Sequence, residues 1–321
     1  MQNVKISSAS PKPVLGISEC LTGSEVRFNG GHKRSRYCTD VLATYFDFTP
    51  VCPEVGIGMS VPRPPIRMVA KGDDIRVIAT DHPDQDYTEQ LRQYAHQTQS
   101  QFAGISGFVF MQKSPSCGVN SSKVYSENGY PATSAAGAFA DEFMKLNPIV
   151  PVIEAGQLND AMLREHFLMR VYAYYEWQTQ VMAKLTVNTL LEFHRRHKLQ
   201  LRIHKEKAMR EMGRMLADLK TADLEQVAAN YIELFMDALK KPVRRPQHAN
   251  LLYRIQKHIK RCLSKDEKAE VMGLIEQYRQ GIVPLVVPMT LLKFFVNKYK
   301  ADTNIAAMYP YPSELGLQNQ I

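Results

Sequence analysis

Short apolar runs alternate with polar segments through the first half of the chain. Five of these runs are typical of β-strands because they are rich in Val, Ile and Phe and are bounded by Gly, Pro or Asp. They are VLGIS (14–18), FTPV (48–51), IRVIAT (75–80), GFVFM (107–111) and IVPVIE (149–154).

Two stretches between these runs place their apolar residues at helical spacing. The first covers residues 87–104 and ends at Gly104, and the second covers 134–148 and ends at Pro148. Strands that alternate with helices are typical of an α/β domain with a mostly parallel sheet. We therefore predict a Rossmann-like α/β domain over residues 1–155.

The second half has few strand candidates and many helical ones. Between residues 160 and 300 the apolar spacing predicts five to seven helices. Ser264, with Glu267 three residues later, has the pattern of a capping box at the start of one of them. We predict an all-α domain over residues 156–321.

The composition is that of an ordinary globular protein. Of 321 residues, 45% are hydrophobic and 22% charged, and no apolar stretch approaches the roughly 20 residues that a membrane helix needs. The first residues lack the basic and then apolar order of a signal peptide. We expect a cytoplasmic protein, whose five cysteines stay reduced instead of forming disulfides.

The positive charge is concentrated in the second half. Residues 1–155 hold 14 Lys and Arg against 15 Asp and Glu, whereas residues 156–321 hold 26 against 17. An imbalance of this kind indicates an anionic partner such as nucleic acid for the basic half. Solubility alone is the alternative explanation.

Three cysteines follow three of the predicted strands. Cys20 follows VLGIS, Cys52 follows FTPV and Cys117 comes after GFVFM. Because the carboxyl ends of parallel strands lie along one edge of a sheet, where α/β proteins bind ligands, we expect these thiols to converge.

Converging thiols have several possible explanations. A structural zinc site usually has four ligands, often in local C-x-x-C pairs, and neither feature is present. Thiolates also suit iron–sulfur clusters, and three of them on a four-iron cluster would leave one iron open. Glu54 and Ser114 would then lie near that iron as acid/base or hydrogen-bonding groups. The alternative is that the cysteines are small buried hydrophobic residues, which is common for free cysteines.

Three separated motifs carry a family resemblance. ISECLTGSEVRFNGG, VCPEVGIGMSVPRPP and KSPSCG together closely resemble the thiouracil desulfidase family (TudS), over roughly residues 12–155. The second half more loosely resembles the YbgA-type helical domain that is often fused behind it.

The resemblance implies a reaction and a set of residues. It implies a [4Fe-4S] cluster held by Cys20, Cys52 and Cys117, with one iron not ligated by protein, and assisting side chains at Glu54 and Ser114. The implied reaction is non-redox: the sulfur of a thiolated uracil binds the open iron, water replaces it at carbon and hydrosulfide leaves. We expect Glu54 to be the base and Ser114 to orient it or the water.

Basic residues suggest where an anionic substrate would bind. In the first half the candidates are Arg27, Lys33 and Arg34 in a glycine-containing loop and Arg63 and Arg67 among prolines. In the second half dense basic stretches supply further candidates for phosphate contacts. These are Arg195, Arg196, Lys198, Arg244 and Arg245.

The sequence thus predicts a cytoplasmic desulfidase that acts on thiouridine in tRNA or on its nucleotides, with the basic half binding RNA. Two alternatives stay open. The enzyme could act only on free thiouracil or thio-nucleotides, or the protein could be a non-catalytic iron–sulfur protein that binds RNA or senses a signal.

Overall fold

The computed structural model describes residues 11–72, 74–217, 219, 223–301 and 309–316. The chain divides into two compact units, Met1–Asn159 and Asp160–Ile321. This division falls shortly after the boundary at residue 155 that the sequence pattern suggests.

The first unit contains eight described strands and four described α-helices. The strands are β1 (Val14–Ser18), β2 (Asp47–Val51), β3 (Ile66–Lys71), β4 (Asp74–Ala79), β5 (Ile105–Phe110), β6 (Ser122–Tyr125), β7 (Pro131–Ala135) and β8 (Val152–Glu154). The helices are α1 (Ala43–Tyr45), α2 (Pro53–Gly56), α3 (Thr88–Gln97) and α4 (Ala138–Leu146). The predicted α/β class of this unit is confirmed.

Four strands form a wholly parallel sheet in the order β2-β1-β5-β8. Strand β5, one of its two central strands, is buried along its whole length, as expected for a parallel strand that is covered on both faces. The Phe108 ring lies so close to β1 that a Cβ at Gly16 would come within 2.2 Å of it, so only glycine fits there. Because β1, β2 and β5 run in the same direction, their carboxyl ends share one edge of the sheet.

The other four strands form a second sheet, which the sequence pattern did not distinguish from the first. Its order is β4-β3-β6-β7, with β3 and β6 parallel and the outer pairs antiparallel. The predicted strand 75–80 is β4, and it belongs to this mixed sheet because a tight turn at Gly72, with φ of +59°, folds β4 back onto β3.

Glu154, at the end of β8, holds the segment that leads from β5 into the second sheet. Its Oε1 accepts hydrogen bonds from the backbone N–H groups of Val119 (2.7 Å), Asn120 (3.2 Å) and Ser121 (3.3 Å). The Ser121 hydroxyl donates a fourth bond to the same oxygen, at 2.7 Å. One buried carboxylate thus fixes the backbone just after Cys117.

The second unit is helical, as predicted. The described residues include α5 (Ala161–Glu176), α6 (Val187–Met215), α7 (Leu224–Ala238), α8 (Arg245–Ile259), α9 (Lys265–Gln280) and α10 (Val286–Lys298). The capping box of Ser264 and Glu267 opens α9, and Gly281 ends it in a left-handed conformation. In the part of the chain that the structure describes, no helix is both long and apolar enough to cross a membrane.

The role of Glu154 generates a stability prediction. Glu154→Ala leaves backbone donors of residues 119–121 without their acceptor, so we expect the free energy of unfolding to fall by at least about 2 kcal/mol. Glu154→Gln keeps an amide oxygen that can accept and should lose less. Urea denaturation measures both variants. Glu127→Ala, which removes an exposed carboxylate, is the control and should stay within about 0.5 kcal/mol; an equally small effect of Glu154→Ala would contradict the anchoring role.

Candidate active site

Three cysteines line one cavity at the carboxyl edge of the parallel sheet. Cys20 lies in a turn of 3₁₀-helix directly after β1, Cys52 lies between β2 and α2, and Cys117 lies in the loop after β5. The cavity has a volume of about 500 Å³ and is also lined by Glu54 and Ser114. That volume is within the usual range for ligand sites.

The surroundings of these thiols favour their neutral form. Burial, and then the nearby Cys52 sulfur, raise the pKa of Cys20 to about 11, against the smaller opposing effect of the Arg27 guanidinium. Burial also raises the pKa of Cys52, and raises that of Cys117 well above its ordinary value, with Cys52 and Cys20 adding to the effect at Cys117. Three thiolates in this cavity need a positive counter-charge, which a bound metal centre supplies.

The number of cysteines at the cavity is relevant to the kind of metal centre that could bind there. Among the described residues, no three His, Cys, Asp or Glu side chains are arranged to hold a single metal ion. A cluster presents its irons at separate corners, so each thiolate binds a different atom and the three sulfurs need not meet at one point. Three cysteines on one cavity are side chains of the type that holds such a cluster.

Glu54 reaches the cavity from the first turn of α2, directly after the Cys52 position. Its Oε2 accepts two hydrogen bonds from the Arg63 guanidinium, from Nε at 2.9 Å and from Nη2 at 2.6 Å. The two side chains are 14% and 3% exposed, so this is a buried ion pair. Arg63 also donates to the carbonyl oxygens of Val26 (2.9 Å) and Ser60 (3.2 Å). The guanidinium that the sequence suggested as a phosphate contact is thus engaged with Glu54 inside the protein.

Two serines complete the surroundings of the Glu54 carboxylate. The Ser116 hydroxyl donates to Oε1 of Glu54, and the Ser114 and Ser116 hydroxyl oxygens are 3.0 Å apart. The Ser114 oxygen also accepts from the backbone N–H groups of Ser116 (3.3 Å) and Cys117 (3.1 Å). Because Ser116 gives its proton to Glu54, it can only accept from Ser114. Sequence reasoning missed Ser116, the serine in direct contact with Glu54.

The loop that carries Ser116 and Cys117 is held by the start of α4. The backbone N–H groups of Ala138 and Ala140 donate to the carbonyl oxygens of Pro115 and Ser116, each at 3.0 Å. A Cβ at Gly137 would come within 2.5 Å of the Ser116 carbonyl carbon and 2.6 Å of the Pro115 oxygen. Only glycine permits this approach, so the helix and the loop form a closely packed pair.

A positively charged wall of the cavity comes from the second sheet. Arg67 on β3 and Lys123 on β6 both line the cavity. They precede the paired residues Met68 and Val124, whose side chains are buried in a hydrophobic cluster, so alternation turns Arg67 and Lys123 to the other face. In the described part of the chain, the buried Nε of Arg67 has no hydrogen-bond partner. This wall of the cavity therefore presents two cationic side chains, and the Arg67 Nε–H has no acceptor within the described part of the chain.

The remaining predicted contact residues of the first unit differ in their positions. Arg27 lines the cavity. Lys33 is exposed, and Arg34 pairs with Asp40 at 2.7 Å while about half of each side chain stays exposed. Neither Lys33 nor Arg34 is among the residues that line the cavity.

In the helical unit, three of the predicted contact residues lie on α6 and two at the start of α8. Arg195 and Arg196 pair with Glu192 and Glu176 at 2.9 and 2.8 Å, with 58% and 50% of the arginine side chains exposed. Lys198 is exposed.

At the start of α8, Arg244 is the residue that caps the helix. Arg245 places its guanidinium 5.7 Å from the centre of the Tyr278 ring.

The buried ion pair generates a second prediction. Arg63→Met leaves the Glu54 carboxylate buried without its cation, and we expect it to lower the free energy of unfolding by about 3–5 kcal/mol. Adding Glu54→Gln removes that uncompensated charge, so the double variant should be more stable than Arg63→Met alone. Chemical denaturation of the three variants completes a double-mutant cycle.

A surface arginine provides the matched control for this cycle. Arg92 lies 3.3 Å from Asp74, and both side chains are partly exposed, so Arg92→Met should cost no more than about 1 kcal/mol. A double variant no more stable than Arg63→Met would show that the carboxylate is not what makes the single change costly.

Comparisons with known proteins agree with the two units. The family model of 2-thiouracil desulfurase matches residues 15–155, and that of a protein of unknown function, DUF1722, matches residues 198–312. The uncharacterized protein YbgA of Escherichia coli (strain K12) is 27% identical over 133 residues, which are 41% of this chain and 79% of YbgA. A solved structure of a [4Fe-4S]-dependent thiouracil desulfidase, TudS, is 27% identical, covers 47% of this chain and 95% of its own, and has a TM-score of 0.35.

The family-model match over residues 15–155 confirms the resemblance that the three sequence motifs carry. The chain therefore carries a 2-thiouracil desulfurase domain over residues 15–155, followed by a DUF1722 domain over residues 198–312.

Proposed function

We propose that the first unit hydrolyses the carbon–sulfur bond of thiolated uracil, with a [4Fe-4S] cluster held by Cys20, Cys52 and Cys117. The observation that carries this proposal is the meeting of three thiols and a hydrogen-bonded carboxylate around one cavity. TudS is a [4Fe-4S]-dependent desulfidase, and three cysteines on one cavity of this chain would supply thiolate ligands for a cluster of that kind.

The cluster and the side chains have separate tasks. When bound, a cluster with one iron free of protein ligands supplies a Lewis acid for the soft sulfur of a thiocarbonyl. The three cysteines would hold it, with Cys117 buried and Cys20 and Cys52 partly buried. The chain itself supplies the base and its alignment.

Glu54 is suited to deprotonate water through one particular oxygen. Arg63 donates twice to Oε2, whereas Oε1 receives one bond, from Ser116. A carboxylate oxygen has two lone pairs, so Oε1 keeps one for a water proton. The water oxygen bonds to the thiocarbonyl carbon as one water proton passes to Oε1. The remaining hydroxyl proton then moves to sulfur as the carbonyl forms, the carbon–sulfur bond breaks and sulfur leaves as hydrosulfide, after which Glu54 returns the first proton to solvent. No electrons are gained or lost overall.

Ser114 and Ser116 orient Oε1 of Glu54. The chain of donors runs from the backbone N–H groups of residues 116 and 117 to Ser114, then to Ser116 and then to Glu54. This order leaves Ser116 as the residue that orients the carboxylate and Ser114 as the residue that orients Ser116. Both lie in the loop that ends in a proposed cluster ligand, so the base and the cluster share one support.

Replacing the base tests the enzymatic function. Glu54→Gln removes the proton acceptor but keeps the size of the side chain, so we expect at least a 100-fold loss of sulfide release with the cluster absorbance unchanged. Sulfide release from thiouracil by the reconstituted protein is the measurement. Glu25→Gln, an exposed change outside the cavity, should leave turnover intact. Full turnover by Glu54→Gln would remove this residue from the mechanism, and a wild-type protein that binds the cluster but releases no sulfide would favour a sensing role.

We further propose that the substrate is thiouridine in tRNA or one of its nucleotides. The cationic pair Arg67 and Lys123 in the cavity is suited to a phosphate, and a free base has none. The excess of Lys and Arg in residues 156–321 supplies further phosphate contacts. Arg27 at the cavity and Arg195, Arg196, Lys198, Arg244 and Arg245 in the helical unit remain our candidates for RNA contacts, and Lys33 and Arg34 for contacts at the surface of the first unit.

A comparison of substrates tests this proposal. We expect kcat/KM to be higher for thiolated tRNA than for thiouridine monophosphate, and lowest for free thiouracil. Replacing both Arg195 and Lys198 by Gln should weaken tRNA binding without changing turnover of free thiouracil. The slope of the logarithm of the tRNA binding constant against the logarithm of the salt concentration should fall in magnitude by about 1 for each phosphate that is no longer neutralised. Lys265→Gln, at the start of α9, is the control for a surface charge.

The other results separate the alternatives. The highest kcat/KM on the monophosphate, with a flat salt dependence for tRNA, would assign the enzyme to free nucleotides. Equal values for all three substrates would remove the role of Arg67 and Lys123 in binding phosphate.

A further inference from the structure

Phe28 is a large apolar ring that the protein leaves uncovered at its cavity. The ring is 40% exposed, and it lines the same cavity as Cys52 and Glu54. Its neighbours in the sequence RFNGG are polar or lack a side chain, so it is not part of an apolar run that folds into a core. Exposing a Phe beside a polar site costs hydration free energy that a bound apolar surface would recover.

The backbone around Phe28 is held in place. The Arg27 N–H donates to the Gly31 carbonyl oxygen at 3.1 Å, and the Gly30 N–H donates to that of Arg27 at 2.9 Å. Gly30 adopts φ of +73°, a conformation that favours glycine. The exposed ring therefore stands on a tight, internally bonded turn.

The same turn is bonded to the residue that holds the base. The Arg63 backbone N–H donates to the Phe28 carbonyl oxygen at 2.8 Å, while the Arg63 side chain donates to Glu54 and to the Val26 oxygen. Backbone and side chain of one residue thus connect Phe28 to the Glu54 carboxylate. The ring has a defined position relative to the group that would deprotonate water.

One side of the ring already has a partner. The Arg27 guanidinium lies over it, 5.5 Å from the ring centre, which is within the range of a cation–π contact. The exposed part of the ring can take a second planar group, so that the aromatic ring would lie between a guanidinium and a ligand. Aromatic side chains recognise nucleobases by stacking of this kind.

We propose that Phe28 is the platform on which the reacting thiolated pyrimidine stacks. This inference rests on the proposed desulfidase function and adds a binding residue to it. Water adds to a trigonal carbon from above or below the plane of the ring. A pyrimidine seated on Phe28 has one face covered, and its other face receives the water that Glu54 deprotonates. The platform therefore sets both the plane of the base and the face that is attacked.

Variants that differ in aromaticity test the platform. Phe28→Leu keeps an apolar side chain but loses the flat ring, and we expect it to raise KM for free thiouracil about 10-fold or more. Phe28→Trp keeps a stacking surface and should stay close to the wild-type KM. Because the contact is to the base itself, thiouridine monophosphate and thiolated tRNA should show the same order of variants. Cluster absorbance and thermal unfolding should be unchanged in both.

An exposed aromatic residue outside the cavity is the matched control. Tyr130 is 74% exposed and is not among the cavity residues, so Tyr130→Leu should leave KM unchanged. An unchanged KM in Phe28→Leu overturns the proposal. So does an equal loss in Phe28→Leu and Phe28→Trp, which would indicate a requirement for the shape of Phe alone, and so does a loss confined to tRNA, which would assign the ring to a flanking base.

A binding measurement keeps this test independent of turnover. The wild-type chain has a single tryptophan, Trp177, which lies in the helical unit, so added emission from the Phe28→Trp variant reports on the cavity. Thiouracil should quench the added emission and leave that of the wild type unchanged. Quenching without sulfide release in the wild type would support the platform and contradict the desulfidase. Sulfide release without quenching would support the desulfidase and contradict the platform.

Discussion

The ion pair between Arg63 and Glu54 is the interaction on which the arrangement of the site depends. Removing a carboxylate from water is costly, and it is tolerable here because two guanidinium N–H groups meet one of its oxygens. The same guanidinium reaches the Val26 oxygen, and the Arg63 N–H reaches the Phe28 oxygen. A single side chain therefore joins the segment after β1 to the start of α2 and divides the two carboxylate oxygens into one that is held and one that is available.

The carboxyl edge of the parallel sheet brings together residues that are distant in sequence. Cys20, Cys52 and Cys117 meet because β1, β2 and β5 run in the same direction. The second sheet contributes a different property, a wall of positive charge, through Arg67 and Lys123. Thiol groups and cationic donors thus lie on different supports within one unit, an arrangement that the proposed thio-nucleotide substrate would use at its two ends.

The part of this site that could be predicted from sequence is the part that depends on local pattern. Strands β1, β2 and β5 overlap the apolar runs VLGIS, FTPV and GFVFM, so the cysteines that follow them could be placed at one edge from the sequence alone. Strand β7 could not be found in this way, because its residues PATSA are small and mostly exposed. The ion pair between Arg63 and Glu54 could not be predicted either, because nothing in the sequence indicates which carboxylate an arginine between prolines will contact.

The choice between Ser114 and Ser116 shows the same limit at shorter range. Ser114 lies three residues before Cys117 and Ser116 directly before it, and only the direction of the backbone decides which one faces Glu54. That direction is imposed by bonds from the start of α4, more than 20 residues along the chain. Local sequence predicts that a serine will be there, and long-range packing decides which one contacts Glu54.

The close packing of α4 against the cysteine loop has a consequence for how the proposed cluster would be loaded. A loop that ordered itself only around its cofactor would lose backbone entropy at the moment of loading, about 1–2 kcal/mol for each residue fixed. Here the bonds from Ala138 and Ala140, and the bare Cα of Gly137, hold the loop in shape through the protein's own folding. Because this entropy is already lost during folding, binding of the cofactor would not have to order the loop as well. A side chain at position 137 would displace the loop that carries Cys117 and so weaken retention of the proposed cofactor, without contacting a ligand atom.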